Sequence, residues 1–263
     1  MYDAYQHLRI ARRGAVLTVT IDTPPLNEVT KEMHTELSTL FGDINRDADT
    51  KVVVLTGAGT RAFSAGGDFH AMKAHLKEFA GTIQSMREAV AVVHGLLRLE
   101  KPIIARINGH AIGFGATLAL YCDLTYAVET AKIGDPHVAV GYTAGDGGAL
   151  IWPQLIGYAR AREYLLTGDP LTGRQAAEIG LITRAVSAEE LDETVNAMAD
   201  RLAAGATFAI NTTKQAINMV LRRQFEAIVE AHVGLELMSH FTADHAEAVH
   251  AFLEKRQPMF TGI

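Results

Sequence analysis

Residues 107–123 read INGHAIGFGATLALYCD. The stretch opens as the tail of PIIARIN (102–108), an apolar, β-branched run that reads as a buried strand ending at Asn108–Gly109. A glycine turn at 113–115 follows, and the apolar residues beyond it read as a helix starting near Gly115. A helix that begins just past a strand end leaves its first backbone N–H groups without intrahelical partners, where they favour negative charge. The same glycines would also serve plain close packing of a helix on a sheet.

On either side the pattern repeats. AVLTVTI (15–21), KVVVLTG (51–57), LTYAVE (124–129) and LITRAV (181–186) read as strands. Between them, residues 30–47 carry Met33, Leu37, Leu40, Phe41 and Ile44 at helical spacing, and residues 82–99 carry Ile83, Met86, Val90, Val93, Leu96 and Leu97 likewise. Alternating strands and helices predict an α/β fold. Strand signals stop near residue 187, and 188–204, 208–239 and 242–256 all read as helices. The expected division is an α/β core over 1–200 and a helical region over 201–263.

Upstream lies TGAGTRAFSAGGDFHAM (56–72). Gly57-x-Gly59-x-x-Ala62 matches the loose form of a dinucleotide fingerprint, but residues 63–67 keep the chain irregular where such a loop should open into a helix. Ser64 in AFSAG imitates a nucleophile elbow that has lost its first glycine, yet the strand–turn–helix context is missing. What remains is Gly66–Gly67 ahead of a helix starting near Asp68. It is either a second place where backbone N–H groups can approach an anion or a loop with Asp68 as helix cap. Two such N–H sources on separate loops are what an oxyanion hole requires.

Downstream lies KIGDPHVAVGYTAGDGG (132–148), too rich in glycine and proline for a continuous helix. It sets His137 and Asp146 nine residues apart. A histidine titrates near neutrality, and a carboxylate beside it fixes its tautomer and stabilises the imidazolium. Asp146 also reads as a cap for the helix that follows.

The 263 residues are 48% hydrophobic and 21% charged, with a net charge of -6, a profile that fits a packed globular core and argues against nucleic-acid binding. Cys122, the single cysteine, excludes an intrachain disulfide and reads as a buried thiol. MYDAYQHLRIARRG has no apolar signal-peptide core and no apolar run is long enough to span a bilayer, so the expected location is the cytoplasm. The eleven histidines suggest no metal site.

Taken in order, VVVLTGAGTRAFSAGGDFHAM, IARINGHAIGFGATLALYCDLTYA and IGDPHVAVGYTAGDGGALIWPQLIGYARAREYLLTGD resemble three signatures of the crotonase superfamily of enoyl-CoA hydratase/isomerase-like proteins. LEKRQPMF near the end resembles the family's tail, so the likeness spans essentially the whole chain. The resemblance implies a spiral of β-β-α turns, with C-terminal helices that assemble a homotrimer or a dimer of trimers. It implies an acyl-CoA substrate, no permanently bound cofactor, and an enolate held by the backbone N–H groups of Gly67 and Phe114. Ala65, Gly66 and Asp68 fall in the substrate-binding loop, and Lys214, Lys255 and Arg256 are candidates for the CoA phosphates.

The departures from the family pattern carry equal weight. The two glutamates with which family hydratases hold water fall here at Thr117 and His137. Asp146 falls where isomerases of the family place an aspartate. The His137/Asp146 pair within PH…GDG…WP also resembles a branch that hydrolyses cyclic β-diketones without CoA, although a further histidine of that branch falls at Phe114. The leading expectation is therefore an acyl-CoA enzyme of the hydratase/isomerase type with His137 and Asp146 as acid/base pair. A β-diketone hydrolase and a catalytically silent homologue are the alternatives.

Overall fold

The computed structural model describes residues 2–76 and 78–263. In chain order the elements are β1 (Leu8–Arg13), β2 (Val16–Ile21), α1 (Lys31–Arg46), β3 (Val52–Gly57), β4 (Ala62–Ser64), α2 (Phe69–His75) and α3 (Phe79–Arg98). Next come β5 (Ile103–Ile107), β6 (His110–Ile112), α4 (Phe114–Leu120), β7 (Leu124–Val128), β8 (Lys132–Gly134) and a 3-10 turn over His137–Val140. The chain ends with α5 (Gly148–Thr167), β9 (Leu171–Thr172), α6 (Gly173–Glu178), β10 (Arg184–Val186), α7 (Leu191–Ala203), α8 (Thr207–His240) and α9 (Ala243–Leu253).

Two sheets share the strands by alternation. The larger runs β1-β2-β3-β5-β7-β10 and the smaller β4-β6-β8-β9. Each of the pairs β3–β4, β5–β6 and β7–β8 sends its first strand to the large sheet and its second to the small one, and then gives way to helix. This is the expected β-β-α spiral. β2, β3, β5 and β7 run parallel, and every residue of β3 is buried, as a parallel strand covered on both faces requires. β1, β4, β6, β8 and β9 are too short or too polar to stand out in the sequence.

α1 begins at the Thr30 cap, whose hydroxyl accepts from the Met33 N–H, and it buries Met33, Leu37, Leu40, Phe41 and Ile44 against α3 and the sheet. The apolar stripe forecast for α3 is realised by Met86, Val93, Leu96 and Leu97, while Ile83 and Val90 face an outer groove. α8 is not set apart from the α/β core: Phe225 and Val229 join the main hydrophobic cluster, and the helix packs along α3. Cys122 is buried, and burial pushes its thiol well above the ordinary range. No helix among the described residues is long and apolar enough to cross a membrane.

Candidate active site

Gly57 and Gly59 do not form a nucleotide loop. The Gly57 N–H donates to the Asn108 side chain at 3.0 Å, and a Cβ at residue 57 would lie 2.4 Å from the carbonyl oxygens of Ala62 and Phe63. The glycine is there so that the turn can fold onto itself. Ser64 is fully buried and its Oγ accepts from the Gly66 N–H at 3.2 Å, so it offers no exposed nucleophile.

That bond spends the Gly66 donor, and the Gly66 carbonyl accepts from Val29 at 2.8 Å. Gly67 is left with an N–H that has no partner among the described residues. Facing it is the start of α4, where Gly113 at φ +56 turns the chain so that the helix opens at Phe114, one residue earlier than the composition suggests. Phe114 therefore also carries an unpartnered N–H. The loops touch: a Cβ on Gly66 would lie 2.6 Å from the Ile112 carbonyl oxygen and 3.6 Å from the Phe114 nitrogen. Only a glycine fits there, and it brings two free donors to one wall.

That wall belongs to a cavity of about 180 Å³ whose lining includes Ala65, Gly66, Gly67, Phe114, His137 and Glu236. Asp68 caps α2 through the His70 N–H at 2.7 Å and borders an adjoining hollow. Met72 of α2 lines the cavity, whereas Leu76, Phe79 and Ile83 do not.

His137 and Asp146 do meet. His137 Nε2 lies 3.6 Å from Asp146 Oδ2, both side chains being nearly buried. Asp146 is not the cap of α5: Gly147 precedes that helix, and the Asp146 carboxylate turns back to Thr117 Oγ1 and the Gly148 N–H, each at 3.5 Å. Thr117 thus faces the aspartate as a hydroxyl. Asp146 itself sits just behind the cavity wall and His137 in it.

The profile describing enoyl-CoA hydratases and isomerases matches residues 11–262. The chain belongs to the enoyl-CoA hydratase/isomerase family. It is 33% identical to the short-chain-enoyl-CoA hydratase of Clostridium acetobutylicum, covering 94% of this chain and 95% of that one. It is 35% identical to the 1,2-epoxyphenylacetyl-CoA isomerase of Escherichia coli, with the same coverage of 94% and 95%. The crystal structure of an enoyl-CoA hydratase/isomerase from Mycobacterium paratuberculosis superposes with a TM-score of 0.90 at 33% identity, covering 95% of this chain and 99% of the other. The protein is accordingly an acyl-CoA enzyme of the lyase or isomerase kind.

Within this family member the structure adds two acids that the sequence reading passed over. Asp135 Oδ1 is hydrogen-bonded to His137 Nδ1, so the imidazole lies between two carboxylates with one ring nitrogen towards each. Glu236 reaches the cavity from α8 and is buried. Burial disfavours a charged His137, but the charges of Asp135 and Asp146 and the bond from Asp135 outweigh it and lift the imidazole to about 10. Asp146 is raised as well, first by burial and then by Asp135, against the pull of His137. A simple ion pair would raise the imidazole and lower the carboxyl, so the two directions disagree. They are reconciled by Asp135, which takes the closer share of the imidazolium and leaves Asp146 only partly compensated. Glu236 is raised well above its ordinary range by burial and by the charge of Asp146.

Asp135, His137 and Asp146 bring one potential ligand atom each within 4.8 Å of the others, the spacing of a metal centre and a convergence that sequence alone did not reveal. The donor set suits a proton better than a metal: each ring nitrogen already faces a carboxylate, and an ion would have to displace a tightly held proton.

The candidate phosphate contacts fare differently. Lys214 is buried, its Nζ 2.8 Å from both the Asp123 carboxylate and the Lys101 carbonyl, and it neither lines the cavity nor can reach a ligand without breaking that pair. The expectation for Lys214 is corrected: it is a charge that ties α8 to the α/β core. Arg256 is paired with Glu247 and Glu254 on the surface.

Proposed function

We propose that this enzyme moves protons along an acyl-CoA thioester, in the manner of an isomerase, and does not add water to it. The thioester carbonyl oxygen sits between the N–H groups of Gly67 and Phe114, where negative charge developing on the enolate is stabilised; one such donor is worth ~3 kcal/mol. The observation that carries the reading is the array opposite those donors. Where a hydratase needs two carboxylates to grip a water, this site presents a threonine, an imidazolium and an aspartate.

An imidazole held protonated to about 10 cannot serve as a base near neutrality. His137 instead keeps positive charge beside the enolate and orients Asp146. Asp146 and Glu236, both raised by burial, are the carboxyl groups left to carry the proton. Asp146, just behind the cavity wall, accepts a proton from the carbon next to the carbonyl and gives the same proton back further along the chain, so that the enzyme ends the cycle as it began. CoA enters as part of the substrate, with no resident cofactor in the scheme. Exposed apolar side chains such as Phe208, Ile217, Val220, Phe252 and Phe260 in the C-terminal region support a homotrimer or its dimer.

The test is to supply 3-hexenoyl-CoA and 2-hexenoyl-CoA in heavy water and follow both by NMR. Interconversion of the two with deuterium entering the α position, and no 3-hydroxyacyl product, is the expected result. Rapid accumulation of 3-hydroxyacyl-CoA would overturn it in favour of hydration. Turnover of a CoA-free cyclic β-diketone, with neither thioester touched, would overturn the acyl-CoA substrate itself.

A further inference from the structure

The cavity contains a second histidine that the proton-transfer scheme does not use. His34 sits on the first turn of α1, is buried, and lines both the main cavity and the adjoining hollow. Its ring stands edge-on to Phe114, the centroids 5.0 Å apart and the planes at 88°, so it is one ring away from a proposed oxyanion donor. Its Nδ1 faces α3, 3.5 Å from Glu88 Oε2 and 3.4 Å from Ser85 Oγ. Glu88, itself buried, is clamped through Oε1 by Thr35 Oγ1 at 2.9 Å and Gln84 Nε2 at 2.8 Å.

Burial holds this imidazole neutral, down to about 4, against the opposing pull of Glu88. A neutral imidazole has one N–H, and the carboxylate facing Nδ1 draws it there. Nε2 is then a bare acceptor. It makes no hydrogen bond to any described residue and is not fully buried, and the spaces that the residue lines are the main cavity and the adjoining hollow. The surrounding wall is largely apolar, with Phe69, Met72, Met86 and Ala89 on it. An acceptor in such a wall favours a ligand that brings a donor and disfavours one that brings another lone pair or a carboxylate.

We propose that His34 is a specificity-determining residue, its Nε2 receiving a hydroxyl carried on the acyl chain a few bonds beyond the thioester carbonyl. The preferred substrates are thus hydroxylated acyl-CoA thioesters, not plain aliphatic, oxo or dicarboxylic ones. Glu88 acts through His34 as a positioning residue, fixing the proton on Nδ1. This rests on the acyl-CoA reading above and deepens it.

Titration calorimetry with saturated thioesters isolates binding from chemistry. 4-Hydroxybutyryl-CoA and 5-hydroxyvaleryl-CoA are compared with butyryl-CoA and valeryl-CoA, and with succinyl-CoA. The wild-type protein is expected to bind at least one hydroxy ester about tenfold more tightly than its methyl-ended partner, the worth of one hydrogen bond to an otherwise unpaired acceptor. His34→Leu is expected to bring hydroxy and plain esters to equal affinity. Glu88→Gln, which keeps the volume and removes the charge, narrows it and provides a second route if His34→Leu fails to fold. Equal affinity for hydroxy and plain esters in the wild type, or a preference for succinyl-CoA, overturns the assignment of His34 alone. If no thioester binds to the folded protein, the acyl-CoA reading falls and this proposal with it.

Discussion

Two imidazoles face one cavity and are tuned in opposite directions. His137 has a carboxylate at each ring nitrogen and is lifted to about 10; His34 has one carboxylate 3.5 Å away and is pushed down to about 4. Burial is the largest influence on both, and it opposes the charged ring in both. What differs is the number and closeness of the neighbouring acids. At the His137 wall the protein stores a proton among three carboxyl groups, and at the His34 wall it keeps an imidazole empty. The lesson is that a buried histidine has no default charge: the count of carboxylates within reach sets it.

The largest test of that contrast removes the acid that the charged wall leaves undercompensated. Asp146→Asn keeps the shape and the contact to Thr117 but abolishes proton acceptance. Turnover of the best acyl-CoA substrate is expected to fall roughly 10²–10⁴-fold, measured by steady-state kinetics, with KM changed little. Undiminished turnover would mean that the proton goes elsewhere and that the His137 wall is merely structural.

Next in size is Asp135→Asn, which tests what holds the His137 proton. The variant loses the nearer of the two carboxylates, so the imidazole should drop by one to two pH units or more, followed by NMR titration of the ring signals. His34, whose polar side-chain partners Glu88 and Ser85 lie on α3, should not move in the same spectra. A His137 that still titrates near 10 would assign the proton to Asp146 and Glu236 instead.

How much of this could be read beforehand follows the range of the interactions. The three glycine-rich loops and their order were legible because each is a local run whose glycines are required by backbone geometry, whereas nothing local joined His137 to Asp146 and their pairing was legible only through the family resemblance. Asp135 stood in the quoted stretch, two residues before His137, but an acid before a proline reads as loop decoration until the chain curls back. Glu236 and Glu88 were hidden by their distance along the chain from the site. A signal existed for the first: Phe225, Val229, Val233 and Glu236 lie at spacings of four, four and three, so an acid occupies the apolar stripe of α8. Lys214 misled in the opposite way. Its neighbours read as an exposed helix face, and only the partner Asp123, just before β7 and far away along the chain, makes it a core residue.

The smallest expected effect is on stability, and here the two histidines should part in sign. For His137 the folded value, about 10, exceeds the unfolded 6.5, so its stabilisation is complete below pH 6.5 and is lost as pH rises towards 10. For His34 the folded value, about 4, lies below 6.5, so its contribution is complete above pH 6.5 and is lost as pH falls towards 4. Urea midpoints at pH 5, 7 and 9 check both. His137→Gln should flatten the decline between pH 7 and 9. His34→Leu should lessen the loss between pH 7 and 5, leaving the share of His245, which is also held down to about 4. Each change should be on the order of 1–3 kcal/mol across its window. Matching slopes in the two variants would show that burial alone governs both rings, and the count of neighbouring carboxylates would lose its place as the cause.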